Sequence, residues 1–317
     1  MDDEVNRLFR LAVRLHQQGR FKEAEDHYKK ALQLNPNDVR IRTNLAVLLS
    51  TMGKLPEAEE HYKLVLTTDP KSAVAHFNYA LTLNNQGRLN DAEKHFKAAL
   101  ELNPEDAEIH WSYAVSLEMA KKFDEANSHF KKALDLNPRD WECHFRYAKF
   151  LNARGVVDEA EKHFKTALQL NPNSSHVHIE YGIYLTLKGR LEEAEEHYKK
   201  ALELNPNNAA THINYAILLK KMKRFDEAEE QYKKSLEIDP NNPRARQNYA
   251  NLLDDTGRFD EAEEQYKKAI TLQLSLAEAH YNYAVFLKRR GRLKEAEGCF
   301  KKAALLNPGL HPPGSAT

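Results

Sequence analysis

Cysteine and tryptophan are scarce in this chain of 317 residues: there are two of each, and Cys143 and Cys299 lie far apart, outside any CxxC or other metal spacing. A disulfide framework and a thiolate metal site are thereby excluded, and a reducing, intracellular compartment fits the pair best. Net charge is missing too, because 47 lysines and arginines balance 47 acidic residues. No global field favours nucleic acid or an anionic membrane. No run approaches the roughly 20 apolar residues of a membrane span, and the opening MDDEVNRLFR has neither the apolar stretch nor the cleavage site of a signal peptide. Asn173-Ser174-Ser175 matches a glycosylation sequon, which without secretion is a coincidence in a loop.

Catalytic motifs are lacking as well. There is no phosphate loop, GxSxG elbow, HExxH or CxxC pair, and the many paired carboxylates fall on exposed helix surfaces where nothing shifts their pKa. The expectation is a non-enzymatic protein without cofactor or metal.

What is present is a period. Prolines recur at 36, 70, 104, 138, 172, 206, 240 and 308, with Leu274 in the one missing place, so the chain resolves into units of 34 residues. The units are 5–38, 39–72, 73–106, 107–140, 141–174, 175–208, 209–242, 243–276 and 277–310, without insertion, followed by a tail at 311–317 expected to be disordered. A chain of this length would ordinarily suggest two globular domains, but short fixed self-similarity points to a single array of stacked units over 1–310.

Each unit holds two amphipathic stretches, a helix A such as AVAHFNYALTLNNQ and a helix B such as LNDAEKHFKAALEL, separated at Gly87 in this instance. Glycine closes helix A in seven units, and Lys121 and Lys223 take that place in the other two. A tight turn there demands φ > 0. Helix B ends before Asn-Pro or Asp-Pro, since proline disfavours helical geometry in the residue ahead of it. Small residues recur in helix A from Ala12 to Ala284, with Gly182 in the sixth unit, and in helix B from Ala24 to Ala296. Leucine from 15 to 287 and an aromatic from Tyr28 to Phe300 fill the complementary holes, so pair upon pair buries one continuous core.

In the first unit Leu8, Leu11-Ala12, Leu15, Gly19, Ala24, Tyr28, Ala31 and Pro36 form a pattern repeated in most units, and on these residues the chain resembles the tetratricopeptide repeat (TPR) family. The resemblance implies an all-α, right-handed α-α superhelix whose A helices line a concave groove, and a protein-binding role. Departures are histidine at most fourth positions, where the family often has tryptophan, and Val65 and Ser235 for an alanine of helix B.

At about 100° per residue, positions four, seven, eight and eleven of helix A face the core, and positions two, five, six, nine, twelve and thirteen face the groove. Position six is asparagine in five units, Asn44, Asn78, Asn214, Asn248 and Asn282, with Arg10, Ser112, Arg146 and Glu180 elsewhere. An amide offers a donor and an acceptor and so matches the backbone of an extended peptide; alternatively these residues bridge neighbouring helices or record duplication of one unit. A similar asparagine row lines the TPR superhelix of O-GlcNAc transferase, which opens the reading of a substrate-recognition array whose catalytic part is absent here. Positions five and nine are apolar in seven units each, among them Phe77, Trp111, Phe145 and Ile213 at five and Ile217 at nine, and such a stripe marks either an interaction site or burial against adjacent helices. Arg146 and Lys149 stand beside this stripe in the fifth unit. Lys220, Lys221, Arg244, Lys288 and Arg289 occupy groove positions toward the C-terminal end, with Asp254 and Asp255 between them, and offer an acidic peptide a docking flank or are merely solvated.

Fifteen histidines suggest metal, but six stand at position four and six at position 23, one per unit in each row, which does not converge ligands on one ion. Lysine at position 25 follows an acid four residues earlier in eight units, giving surface pairs rather than a nucleic-acid patch. Some TPR cochaperones clamp a carboxylate with lysine at position five and asparagine at nine; here position five is never lysine and only Asn251 provides the asparagine. The function expected is therefore a scaffold for an extended segment of a partner protein. A second possibility is self-association, because nothing after Pro308 forms a polar cap and the last helix B should expose Leu293, Phe300 and Leu305-Leu306.

Overall fold

The structure, a computed structural model, describes residues 2–310; the tail expected at 311–317 lies outside the described residues. Its eighteen described helices fall into two compact units that meet between residues 170 and 171, inside the fifth repeat. The first unit holds α1 (Asp2–Gln17), α2 (Phe21–Leu34), α3 (Val39–Thr51), α4 (Leu55–Thr68), α5 (Ala73–Asn85), α6 (Leu89–Leu102), α7 (Ala107–Met119), α8 (Phe123–Leu136), α9 (Trp141–Ala153) and α10 (Val157–Leu170). The second holds α11 (Ser175–Leu187), α12 (Leu191–Leu204), α13 (Ala209–Lys221), α14 (Phe225–Ile238), α15 (Pro243–Asp255), α16 (Phe259–Leu272), α17 (Ala277–Arg289) and α18 (Leu293–Leu306). Odd-numbered helices are the A helices and even-numbered ones the B helices, packed as antiparallel pairs. The class is all-α, as the periodicity predicts.

Local chemistry sets the helix ends. All seven turn glycines have positive φ, and so do Lys121 and Lys223, at 61° and 60°. An L-residue held there costs about 1 kcal/mol. The A helices begin at a side-chain cap that the sequence pattern had not singled out: Asp38, Ser72, Asp106, Asp140, Ser174, Asn208 and Asn242 each accept from backbone N–H groups of the first turn. Leu276 stands in that place before α17 and offers no cap. Each of the seven caps is worth about 1 kcal/mol to its helix.

Inside each pair the small residues of both helices are fully buried, and the aromatics from Tyr28 to Phe300 fill the space between them. Where Gly182 replaces alanine, a Cβ would lie 3.0 Å from the Tyr198 ring, so the ring occupies the room that the missing methyl leaves. Successive pairs are joined by a clamp that reading the Glu–Lys pattern as surface decoration had missed. Glu229 accepts from the Tyr249 hydroxyl at 2.8 Å and from Arg258 at 2.6 Å, both in the following repeat, while also pairing with its own Lys233. Glu59, Glu195 and Glu263 do the same with Tyr79 and Arg88, Tyr215 and Arg224, and Tyr283 and Arg292. Burial pushes the Glu195 and Glu229 carboxyls up, but hydrogen bonds from arginine, lysine and tyrosine outweigh it and hold both at about 2.

The burial pattern corrects the helical-wheel assignment at three positions. Positions three and ten, not counted as core, are buried in each repeat from the second to the ninth, as Ile41 and Leu48 or Ala279 and Phe286. The first repeat alone carries arginine there, Arg7 and Arg14, both exposed. Position five, assigned to the groove, is buried at Thr43, Phe145, Ile213 and Gln247, because helix–helix packing covers that flank of the A helix.

Candidate functional site

The expected ligand face is the row of A-helix side chains at positions two, five, six, nine, twelve and thirteen, and the two units present different chemistry on it. In the second unit α13, α15 and α17 bound a cleft of about 450 Å³ lined by Ala210, Ile213, Asn214, Ile217, Asn242, Arg244, Gln247, Asn248 and Glu278. Three residues singled out as ligand-binding, Asn214, Arg244 and Asn248, thus share one space. Asn214 and Asn248 are half-buried, and no hydrogen bond among the described residues engages either amide. Asn242 is committed, since its Oδ1 caps α15 and its Nδ2 donates to Asp239. Asn282 stands on α17, half-buried and outside the lining of that cleft.

In the first unit the amides are differently placed. Asn44 and Asn78 donate to the Arg40 and Val74 carbonyls of their own helices at 2.9 Å each, which ties each amide to the turn beneath it. Trp111 is half-buried and borders an acidic cleft of about 470 Å³ with Glu105, Asp106, Glu108, Asp140 and Glu142. Burial, with the nearby Asp106, Asp140 and Glu142 carboxylates, raises the Glu108 pKa. Phe77 is half-buried against Phe96. Phe145 departs from expectation: it is 1% exposed, its ring tilted against Phe164 with Arg146 and Lys149 over it, and presents no surface to a ligand. Arg146 also pairs with Glu142 at 3.2 Å.

Tetratricopeptide repeat models match residues 15–77 and 117–179, 77–140 and 248–311, and 173–241 and 207–275, together running from 15 to 311. The chain belongs to the tetratricopeptide repeat family. Similar solved structures include yeast Tom70, 20% identical over 97% of this chain and 86% of that one with a TM-score of 0.55. A TPR protein from Parabacteroides merdae is 19% identical over 79% and 99%, with a TM-score of 0.61. The Cut9–Hcn1 hetero-tetramer of the APC/C is 17% identical over 89% and 55%, with a TM-score of 0.66. At these identities the likeness speaks for the fold. No curated protein matches the chain.

In this TPR protein two of the five C-terminal bases, Lys220 and Arg289, are compensated by the aspartates between them. Lys220 pairs with Asp255 at 2.7 Å, and Arg289 and Arg290 pair with Asp254 at 3.0 and 3.1 Å. The aspartates noted between the bases are thus their partners. Lys221 and Arg244 are exposed and make no ion pair among the described residues. Lys288 is exposed beside the apolar end of the second unit, where a cleft of about 440 Å³ is lined by Leu293, Ala296, Glu297, Phe300, Lys301 and Ala304. There Leu293 is 62% and Leu305 77% exposed, but Phe300, expected at the surface, is buried under Tyr281, and Leu306 is half-buried.

The TPR histidines pair with each other. His76 with His95, His110 with His129, His144 with His163 and His178 with His197 approach through Nδ1 atoms at 2.7–2.8 Å, and the first ring of each pair meets a proline carbonyl through Nε2. The carbonyl requires the Nε2 proton, so Nδ1 of that ring accepts and Nδ1 of its partner donates. Burial, then the neighbouring ring, lowers His95, His129, His163 and His197 to about 4. Among the described residues no group of three or more His, Cys, Asp or Glu is placed to hold a metal ion, and no helix is long and apolar enough to cross a membrane. Both cysteines are free, and burial pushes the Cys143 thiol far up.

Proposed function

We propose that this TPR protein is a non-enzymatic intracellular scaffold that binds an extended segment of a partner protein on its A-helix face. The observation that carries the reading is the second-unit cleft, where Asn214 and Asn248 amides without internal partners stand beside Ile213, Ile217 and Arg244. Amides grip a peptide backbone whatever its side chains, the isoleucines take an aliphatic residue, and Arg244 favours an acidic neighbour. The test is a random peptide library displayed on phage and selected on the full chain. Selected peptides should bind Asn214→Ala/Asn248→Ala/Asn282→Ala at least about tenfold more weakly, at about 0.5–1.5 kcal/mol per lost hydrogen bond, with unchanged circular dichroism. Equal affinity would sink the reading.

A second reading, self-association, rests on the exposed Leu293 and Leu305. Light scattering across a concentration series checks it, a monomer at every concentration counting against it.

A further inference from the structure

Position five of helix A is apolar in seven repeats, and the two exceptions differ in a way that bears on recognition. Thr43 is buried, but its hydroxyl donates to the Val39 carbonyl at 2.7 Å, so its polarity is settled inside its own helix. Gln247 is 6% exposed, and its buried Oε1 has no hydrogen-bond partner. A desolvated carbonyl oxygen without a donor costs free energy, and nothing in the folded chain returns it. Gln247 is also a wall of the cleft that holds Asn214 and Asn248.

We infer that Gln247 is a specificity-determining residue of that cleft: on binding, its side-chain amide turns into the cleft and Oε1 accepts a hydrogen bond from a backbone N–H of an extended peptide that lays an aliphatic side chain on Ile213 and Ile217. The inference rests on the peptide-binding reading above and adds which residue sets the register. With Oε1 presented, a backbone donor is preferred at that register over a carbonyl or carboxylate, which would need the amide turned the other way. The isoleucines beside it require that the donor be followed by apolar surface, and an extended peptide supplies both, its N–H groups and side chains alternating along the strand. Arg244 and Glu278, one of each sign and both exposed, stand at the rim, where a charged flanking residue meets one or the other.

The experiment uses peptides selected from the displayed library and compares the full chain with Gln247→Met and Gln247→Thr, the latter copying the arrangement at Thr43. Affinity is read by fluorescence polarisation for each peptide and for versions N-methylated at one backbone nitrogen at a time. Expected are a loss of about fivefold or more in both variants, and one N-methyl position that weakens binding to the native chain but not to the variants. The free variants should unfold at the same or a higher temperature, since an unpaired buried acceptor is gone. If peptides are weakened by the asparagine substitutions yet bind the Gln247 variants as tightly as the native chain, or if every N-methyl effect is the same in all three proteins, Gln247 does not read the ligand while the proposed function stands. A library that yields no binder overturns both.

Discussion

Acidification should loosen the first unit before the second, and the paired histidines give the size of the effect. His95, His129 and His163 lie in the first unit and His197 in the second, each lowered from 6.5 to about 4. The folded value lies below the unfolded one, so protonation favours the unfolded chain. The stability these rings contribute is complete above about pH 6.5 and is lost as pH falls toward 4. At about 1.4 kcal/mol per decade of proton concentration, the gap amounts to roughly 3 kcal/mol for each ring. Partial exposure to water reduces that to about 1–2 kcal/mol, or roughly 3–6 kcal/mol over the three rings of the first unit. The clamp carboxylates contribute in full above about pH 4.5 and lose that contribution as pH falls from there toward 2, so at pH 5 and above the histidine effect stands apart from theirs. Hydrogen exchange resolved by helix, at pH 7, 6 and 5, should show α5 to α10 losing protection ahead of α13 to α18. Replacing the three rings by glutamine imitates the seventh repeat, where Gln231 meets His212 Nδ1 at 2.7 Å. That variant should be far less sensitive between pH 6.5 and 4. Uniform loss of protection along the chain, or the same pH slope in the glutamine variant, would refute the reasoning.

Further outcomes concern single positions. Lys121→Gly and Lys223→Gly should each stabilise by about 1 kcal/mol, read from urea midpoints, because the φ near 60° no longer opposes a Cβ. No gain would mean that the lysine side chains compensate elsewhere. Glu229→Ala strips Tyr249 and Arg258 of their shared acceptor and should cost about 2–3 kcal/mol, with exchange rising first in α14 and α15. Asp140→Ala removes the cap of α9 and should cost about 1 kcal/mol, with fraying confined to its first turn.

The helices were legible from sequence because proline, glycine and small-residue spacing act locally, and nine copies of one pattern average out the exceptions. Less was legible where the outcome depends on a neighbouring repeat. Glu229 looks like half of an i,i+4 pair with Lys233, and only packing shows that it also accepts hydrogen bonds from the Tyr249 hydroxyl and the Arg258 guanidinium. The histidine rows were seen as rows, but the spacing does not reveal that positions four and 23 face each other. On the ligand face a helical wheel treats each helix as isolated, so it placed Phe145 at the surface and left position ten out of the core. Asn44 and Asn248 look alike in sequence; the first folds its amide onto Arg40, and the second keeps it beside a cleft. The isolated departure, glutamine where other repeats carry mostly apolar residues, was the available clue to Gln247.

Arg7 and Arg14 make the repeats unequal in a way that matters for construction. If residues 5–310 were fused in tandem, the second copy would bring both guanidinium groups to positions that are buried from the second repeat to the ninth. The seam would match the other junctions in length and register, yet two desolvated cations would make it the weakest joint, and thermal unfolding would start there. Changing Arg7 and Arg14 to isoleucine and leucine, as at Ile41 and Leu48, is the minimal edit that would make this protein a repeatable building element.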